Sequence, residues 1–242
     1  MAAIAILSDI HSNRQALDAV LEDVARHDIT RWWCVGDIVG YGADPQYVLE
    51  ICLTAPERCI AGNHDLGVAG GVPLDAFSSW AYDAVAWTQT VLGLEQRVAL
   101  AQLAPTDFDH AVPLVHASVR DPIWEYVLGV EEAKASLELV REHVTCIGHT
   151  HIPAAWHRAE DGTITEVPGQ GVVELVPGRW LINPGSVGQP RDDDPRAAWA
   201  RLDLDANTVE FIRTPYDIAG AQRAIRAVGL PEILAERLGE GF

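Results

Sequence analysis

The amino-acid sequence predicts an α/β protein with a mostly parallel sheet at its core. Two observations support this fold class. Over the first sixty residues, short apolar runs alternate with amphipathic segments, the pattern of strands joined by crossover helices. Later in the chain, short stretches of alternating hydrophobicity are separated by glycine and proline. That pattern is typical of antiparallel hairpins and indicates a second sheet.

The first sixty residues give three strands and two helices. Residues 3–8 are an apolar run of the kind found in strands buried on both faces. Residues 13–27 carry apolar side chains at helical spacing. A strand at 32–36 precedes a helix at 44–53, which has a proline near its start. A strand at 57–62 completes the strand–helix alternation.

The alternation is interrupted after residue 66. Residues 67–110 are rich in Ala, Leu and Trp, and we expect a helical insert that lies over the sheet. Apolar runs at 111–116 and 144–148 predict two further strands, with a helix between them at 131–142.

The last third of the chain has a different pattern. Residues 162–183 and 197–213 read as the hairpins of the second sheet. Residues 215–239 predict a pair of helices. Because no repeat, low-complexity tract or linker interrupts the chain, we expect residues 1–242 to form a single domain.

Composition and charge exclude several functional classes. The chain has 17 Lys and Arg against 35 Asp and Glu, a formal charge of −18, which disfavours stable binding to nucleic acid. It has no basic, apolar start typical of a signal peptide, and no apolar run near the roughly 18 residues that a membrane span needs. The four cysteines lack C-x-x-C spacing, which favours buried, reduced thiols. The sequence therefore predicts a cytoplasmic protein with no membrane partner.

Polar residues follow five of the predicted strands at the point where each strand ends. They are Asp9, His11, Asp37, Asn63, His64, Asp65, His116, His149 and His151. Ligands of open α/β sheets bind outside the carboxyl ends of the strands, so we expect these side chains to share one edge. Taken singly, an Asp or Asn here is a typical turn or N-cap residue, and His116 is typical of a hydrogen-bonded strand end. The series of five segments favours a site.

A metal centre is the chemistry that this set of residues fits. Seven oxygen and nitrogen ligands can be drawn from it with no thiolate, which suits Mn, Fe, Zn or Ni. Seven is too many for one tetrahedral ion but fits two ions that share a carboxylate. Two ions roughly 3.5–4 Å apart stabilise phosphoryl transfer. His149 and His151 lie two residues apart on a segment expected to be extended, so both side chains can face the centre and each can bind one ion.

The motifs in this order resemble those of the calcineurin-like metallophosphoesterase superfamily. They are D-I-H at 9–11, G-D-I-V-G-Y-G at 36–42, G-N-H-D at 62–65, the isolated His116, and G-H-T-H at 148–151. The runs S-D-I-H-S-N and I-N-P-G-S-V-G-Q-P-R resemble its bacterial predicted-phosphodiesterase branch. The resemblance covers residues 4–213. It implies a four-layer α-β-β-α sandwich of two mixed β-sheets flanked by helices.

The resemblance also implies a ligand set for two divalent transition-metal ions. The first ion would be held by Asp9, His11 and His151, the second by Asn63, His116 and His149, and Asp37 would bridge them. Manganese is the expected metal, with iron, zinc or nickel as alternatives.

The resemblance places His64 opposite the substrate phosphate. It would act either as a general acid or as a hydrogen-bond donor to the developing charge, and Asp65 would orient it. Asn63 and Tyr41 are further candidates for substrate contact. Arg191 could bind a phosphate or, equally, form a salt bridge within the acidic run 192–194.

The tryptophans of the helical insert are candidates for contact with a nucleobase. These are Trp80 and Trp87, and with them Trp124, which follows the insert. The expected reaction is hydrolysis of a small phosphodiester, a nucleotide such as a cyclic nucleotide, by metal-bound hydroxide. The alternatives are a phosphomonoesterase, a dinucleoside polyphosphate hydrolase, and a non-catalytic scaffold of the same fold. The sequence leaves the oligomeric state open.

Overall fold

Twelve strands form two six-stranded sheets in the computed structural model, which describes residues 3–242. The strands are β1 (Ile4–Leu7), β2 (Trp32–Cys34), β3 (Arg58–Cys59), β4 (Thr106–Asp107), β5 (Leu114–Val115), β6 (Val144–Cys146), β7 (Ala154–Arg158), β8 (Ile164–Pro168), β9 (Gly171–Glu174), β10 (Arg179–Asn183), β11 (Ala197–Asp203) and β12 (Thr208–Thr214). The first sheet has the order β3-β2-β1-β11-β12-β9, and the second has the order β4-β5-β6-β10-β7-β8.

Both sheets mix parallel and antiparallel pairs. In the first sheet β1, β2 and β3 are parallel, and in the second β5, β6 and β10 are parallel. The remaining pairs are antiparallel. The expectation that the late hairpins form a sheet of their own is wrong. Strand β11 pairs with the edge of β1 opposite β2, and β10 pairs with the edge of β6 opposite β5. The backbone N–H and C=O groups of both edges are thereby hydrogen-bonded.

Eight α-helices connect or cover the strands within the described residues. They are α1 (Arg14–Arg26), α2 (Pro45–Thr54), α3 (Asn63–Ala69), α4 (Ser79–Val91), α5 (Leu94–Ala101), α6 (Val130–Leu139), α7 (Ile218–Ala227) and α8 (Glu232–Glu240). A 3₁₀ turn lies at Leu74–Ala76. The helices of the insert begin earlier than expected, because α3 starts at Asn63. The strand β4 at the end of the insert was not predicted.

The apolar pattern of the strands explains the layers. In β1, Ile4 and Ile6 pack into the core between the two sheets, while Ala5 and Leu7 face the outer core beneath α1 and α2. A separate core under α6, which includes Leu137, covers the outer face of the second sheet. The architecture is thus two mixed β-sheets flanked by helices, as the family resemblance implied.

Two further features bear on the sequence analysis. All four cysteines are free thiols, and Cys34, Cys52 and Cys146 are buried. In the part of the chain from residue 3 to 242, no helix is both long enough and apolar enough to cross a bilayer.

Candidate metal centre

The candidate site lies where the carboxyl ends of the parallel strands of both sheets meet. The segments after β1, β2 and β3 come from the first sheet, and those after β5 and β6 come from the second. All nine polar residues predicted at these strand ends are buried, each with a relative exposure of 4% or less. Burial of so many polar groups is costly unless they bind one another or a cation.

The potential ligand atoms form two groups that share Asp37. The first group is Asp9, His11, Asp37 and His151, and the second is Asp37, His116 and His149, with the ligand atoms of each group within 4.8 Å of one another. The Oδ1 atom of Asn63 lies 3.3 Å from Nε2 of His116, so Asn63 borders the second group. This grouping is the one that the resemblance implies.

Backbone carbonyls fix the orientation of three imidazoles. The acceptors of the Nδ1 atoms are the carbonyl oxygens of Val39 for His11 (3.1 Å), Val35 for His116 (2.8 Å) and Gln189 for His151 (2.6 Å). Because a carbonyl oxygen only accepts, each Nδ1 carries a proton. The Nε2 atoms therefore face the centre, which is the arrangement of metal-binding histidines.

The Nε2 atoms are placed as a cation would require. Those of His11 and His151 lie 3.1 Å apart, and in neutral rings with protonated Nδ1 atoms both present lone pairs. Two lone pairs at that distance repel each other unless a cation lies between them. The Nε2 atom of His149 is buried without any hydrogen-bond partner among residues 3–242. The residues present thus fit metal ions.

Electrostatics support the same conclusion. Burial lowers the pKa values of His11 and His151 well below the ordinary value, and burial together with His116 lowers that of His149 to about 3. These rings are neutral at pH 7, which is the form that binds metal.

Asp37, which belongs to both groups of potential ligands, carries negative charge in the site. Burial alone would raise its pKa, but His116 and His64 outweigh burial and lower the pKa well below the ordinary value. For His116, burial lowers the pKa, yet Asp37 outweighs it and raises the pKa to about 10. A metal ion would compete with that proton, since the Nε2 atom of His116 lies 3.4 Å from Oδ2 of Asp37.

The backbone at the centre is strained. Asp9, His11, Asp37, His149 and His151 all have φ between +49° and +68°, the left-handed region that costs a non-glycine residue ~1–2 kcal/mol. Such strain clusters at functional sites, where the surrounding structure enforces it.

Close approach to Asp37 requires a glycine at residue 62. A Cβ atom there would lie 2.0 Å from Oδ1 of Asp37, so no larger residue fits without displacing the carboxylate. Gly36, one residue before Asp37, has φ +90° and also sits against His116. These contacts explain the glycines that precede the ligand positions.

The last residue of β10 and the loop that follows it hydrogen-bond to two segments of the centre. Asn183 donates to the carbonyl of Gly148 (2.7 Å) and so fixes the segment that carries His149 and His151. Ser186 donates to the carbonyl of Asp9 (2.7 Å). These two contacts position the segment after β6 and the segment after β1.

The structure contradicts the role predicted for Asp65. Its carboxylate accepts hydrogen bonds from the backbone N–H groups of Gly62 (2.8 Å), Val39 (3.0 Å) and Ile38 (3.1 Å). The Nδ1 atom of His64 is buried with no hydrogen-bond partner among the described residues. Asp65 therefore does not orient His64. Its two side-chain oxygens are both occupied by these backbone N–H donors. The three bonds hold the loop of Asp37 against the start of α3.

Tyr41 and Arg191 both border the centre. The Tyr41 ring packs against those of His11 (centroids 4.7 Å apart) and His64 (4.4 Å). Arg191 donates to the Gln189 side chain (2.9 Å), and its guanidinium lies 5.8 Å from the Tyr41 ring centroid.

The salt bridge considered for Arg191 is not formed. Asp192 pairs with Arg213, and Asp194 pairs with Arg196, so these acids are engaged elsewhere. The Nε atom of Arg191 is buried and has no partner within residues 3–242. Its charge lowers the pKa values of the neighbouring histidines, including His151. The guanidinium is therefore available to an anion at the centre.

Two aromatic residues near the centre were missed by sequence reasoning. Phe77 contacts His64 (centroids 5.0 Å apart), and Tyr126 stacks on His149 (4.1 Å). Of the three tryptophans named as candidates for contact with a nucleobase, Trp124 lines the space beside His64. Trp80 is 43% exposed and lies outside that space, and Trp87 packs toward α7 and α8. No local signal marks Phe77 or Tyr126, since only the fold brings their loops to the centre.

Comparisons with known proteins agree with this geometry. A family model described as the calcineurin-like phosphoesterase superfamily domain matches residues 2–207. A crystal structure of a metallophosphoesterase from Sphaerobacter thermophilus is 37% identical, with a TM-score of 0.88, and covers 100% of both chains. The uncharacterised protein MJ0912 of Methanocaldococcus jannaschii is 37% identical over 97% of this chain and 96% of its own length.

A more distant structure shares the fold alone. The hypothetical protein PH1004 of Pyrococcus horikoshii is 22% identical, with a TM-score of 0.83, and covers 100% of this chain and 99% of its own.

The two mixed sheets and the cluster of histidines and carboxylates define a metal-binding phosphoesterase, a hydrolase. The chain belongs to the calcineurin-like phosphoesterase superfamily.

Proposed function

We propose that this protein is a phosphodiesterase with a dinuclear metal centre that hydrolyses a small phosphodiester, with a nucleotide diester such as a cyclic nucleotide as the leading substrate. The observation that carries the proposal is the position of Asp37 in both ligand groups. A carboxylate shared by two groups of nitrogen and oxygen ligands is what two adjacent cations require.

The ligands are assigned from the two groups. Asp9, His11 and His151 would hold one ion, and Asn63, His116 and His149 the other, with Asp37 between them. Nitrogen-rich ligands without thiolate suit manganese, and iron, zinc or nickel share this preference. When bound, two such ions supply an activated water and neutralise charge on the phosphoryl oxygens.

The remaining residues would bind and orient the substrate. Arg191 brings a guanidinium whose Nε is unpaired, which suits a non-reacting phosphoryl oxygen. Burial lowers the pKa of His64 to about 4, so its imidazole is neutral at pH 7. A neutral ring acts more readily as a hydrogen-bond donor to the phosphoryl group than as a proton source. The cytoplasmic location stays a prediction.

Metal analysis combined with a substrate panel tests the proposal. The purified protein should hold close to two transition-metal ions per chain, lose hydrolysis in chelator, and regain it with Mn²⁺. Bis(p-nitrophenyl) phosphate and a cyclic nucleotide should be cleaved faster than p-nitrophenyl phosphate. The Asp161→Ala variant, which removes an exposed carboxylate far from the centre, serves as the control.

Three outcomes would contradict parts of the proposal. Full activity in excess chelator with no metal detected would exclude a metal centre. A preference for the monoester, or for a dinucleoside polyphosphate, would assign a different phosphoesterase activity. Metal binding without hydrolysis of any ester would favour a non-catalytic scaffold.

A further inference from the structure

A cleft of about 400 Å³ opens beside the candidate metal centre. Its walls come from four separate segments: the loop after β2, which carries Tyr41, the start of α3, the residues around the beginning of α4, and the loop after β5. The residues that matter here are Asn63, His64, Phe77, Ser78, Trp124 and Tyr126. Because Asn63 and His64 line this cleft and also belong to the candidate site, a group attached to a phosphoryl group at the centre can reach this space.

The aromatic rings of the cleft are held in fixed positions. Phe77 makes an edge-to-face contact with Trp124, with centroids 5.1 Å apart and planes at 75°. It makes a second such contact with His64, at 5.0 Å and also 75°. Tyr126 stacks on His149 with centroids 4.1 Å apart and planes at 30°, which holds a further ring of the cleft in place. Rings that are positioned before binding lose little entropy when a ligand stacks on them.

The cleft carries no formal charge from acidic or basic side chains. None of its lining residues is Asp, Glu, Lys or Arg, although the whole chain has a net charge of −18. Arg191 is not among the lining residues, but its guanidinium lies 5.8 Å from the ring centroid of Tyr41, which does line the cleft, so this cation stands at the border of the cleft. An anionic group is therefore better accommodated at the centre and near Arg191, whereas the cleft suits an uncharged group.

The same walls leave apolar and polar contacts open to a ligand. Tyr126 is 45% exposed and Trp124 is partly exposed, so a flat group that covers them removes apolar surface from water. The side chain of Ser78 makes no hydrogen bond to the described residues and can pair with a polar edge of that group. Aromatic side chains on which a flat ring can stack are a common means of binding nucleobases.

We propose that this cleft binds a planar aromatic group of the substrate, a nucleobase or an aryl ring, stacked on Trp124 while the phosphoryl group lies at the metal centre. This inference rests on the proposed function for the position of the phosphoryl group and adds the class of group attached to it. Stacking on one aromatic side chain contributes ~1–3 kcal/mol per base, or roughly 5- to 150-fold in affinity.

Equilibrium binding to the Mn²⁺-loaded protein tests the inference by calorimetry. Two matched pairs of ligands isolate the ring: AMP with ribose 5-phosphate, and phenyl phosphate with methyl phosphate. We expect AMP to bind at least about fivefold more tightly than ribose 5-phosphate. Trp124→Ala should remove most of that advantage and leave ribose 5-phosphate unchanged. Trp80→Ala, which removes an exposed tryptophan outside the cleft, should change neither.

The two ligand pairs separate the possible sources of the ring. An advantage for AMP alone identifies a nucleobase, and an equal advantage for phenyl phosphate identifies any aryl group. Phe77→Ala provides a second variant of the wall in case Trp124→Ala does not fold.

The inference is overturned if neither aromatic ligand binds more tightly than its partner, or if Trp124→Ala weakens both members of a pair equally. Binding of none of the four ligands would also overturn it. Failure of the proposed function would show separately, because the same preparation would then fail to hydrolyse bis(p-nitrophenyl) phosphate.

Discussion

Asp65→Ala should weaken both the fold and the metal centre. The carboxylate is completely buried and accepts three backbone N–H bonds, from Gly62, Val39 and Ile38. Two of these donors directly follow Asp37, and the third lies beside it. The alanine variant leaves all three N–H groups without their acceptor and frees the loop that places Asp37 between the two ligand groups.

The magnitude follows from those three bonds. Burial raises the pKa of Asp65 to about 8, so the group is largely uncharged at pH 7. A hydrogen bond to such an acceptor contributes ~0.5–1.5 kcal/mol, and a buried donor left unpaired costs ~1–3 kcal/mol. Water that enters the space of the lost carboxylate recovers part of this, so we expect a loss of about 3–5 kcal/mol in the free energy of unfolding. Loss of such a supporting contact also weakens metal binding by roughly 10- to 100-fold.

Two measurements and one control check these numbers. Urea unfolding in chelator gives the stability change without metal, and calorimetric titration with Mn²⁺ gives the affinity change. Asp107→Ala is the matched control, because Asp107 also accepts several hydrogen bonds, from Arg58 and neighbouring groups, but lies outside the centre. It should lower stability and leave Mn²⁺ affinity unchanged.

One pattern of results would exclude a supporting role for Asp65. If Asp65→Ala kept its stability within 1 kcal/mol of the parent protein and bound Mn²⁺ normally, yet lost turnover, Asp65 would act through His64 after all.

Three further predictions concern the centre itself. Asp37→Ala should lose both metals and essentially all hydrolysis, since one carboxylate belongs to both ligand groups; elemental analysis that still found two ions would exclude the bridging role. His64→Ala should keep its metals and lose about 10²–10³-fold in kcat, to a similar extent on alkyl and p-nitrophenyl diesters, because a neutral imidazole stabilises the charge that develops on the phosphoryl group. A much smaller loss on the aryl ester would show instead that His64 delivers a proton to the leaving group. In chelator, the stability contributed by His116 should be complete below about pH 6.5 and decline up to about pH 10, because its pKa in the folded protein is raised from 6.5 to about 10. Melting temperatures that did not fall over this range, or that fell equally in His116→Asn, would contradict that assignment.

Much of the fold was accessible from the sequence because it depends on local patterns. The first strand reads as an apolar run because Ile4 and Ile6 face one core while Ala5 and Leu7 face another. The helices α1 and α2 follow from apolar spacing and, for α2, from the early Pro45. These signals lie within about fifteen residues of one another.

The pairing of the late strands was not accessible in the same way. Strand β11 pairs with β1 across almost two hundred residues, and the hydrophobic alternation of β11 is compatible with either sheet. Which edge it joins is decided by the edges left open when the other strands have paired.

The same distinction between local patterns and long-range contacts applies to the candidate site. Residue type and position after a strand marked Asp9, Asp37 and His149, because the ends of parallel strands converge by geometry. The sequence thus indicated which segments carry the candidate ligands and what chemistry those residues suit.

Only the tertiary structure decided what each side chain contacts. In the structure Asp65 accepts hydrogen bonds from backbone N–H groups and not from His64. Arg191 does not pair with the acidic residues that follow it, and Phe77 and Tyr126 line the cleft. Ser186 supports Asp9 across 177 positions of sequence. Hydrophobic periodicity specifies the face of an element but not the partner of a polar group, because that partner is set by the packing of whole layers.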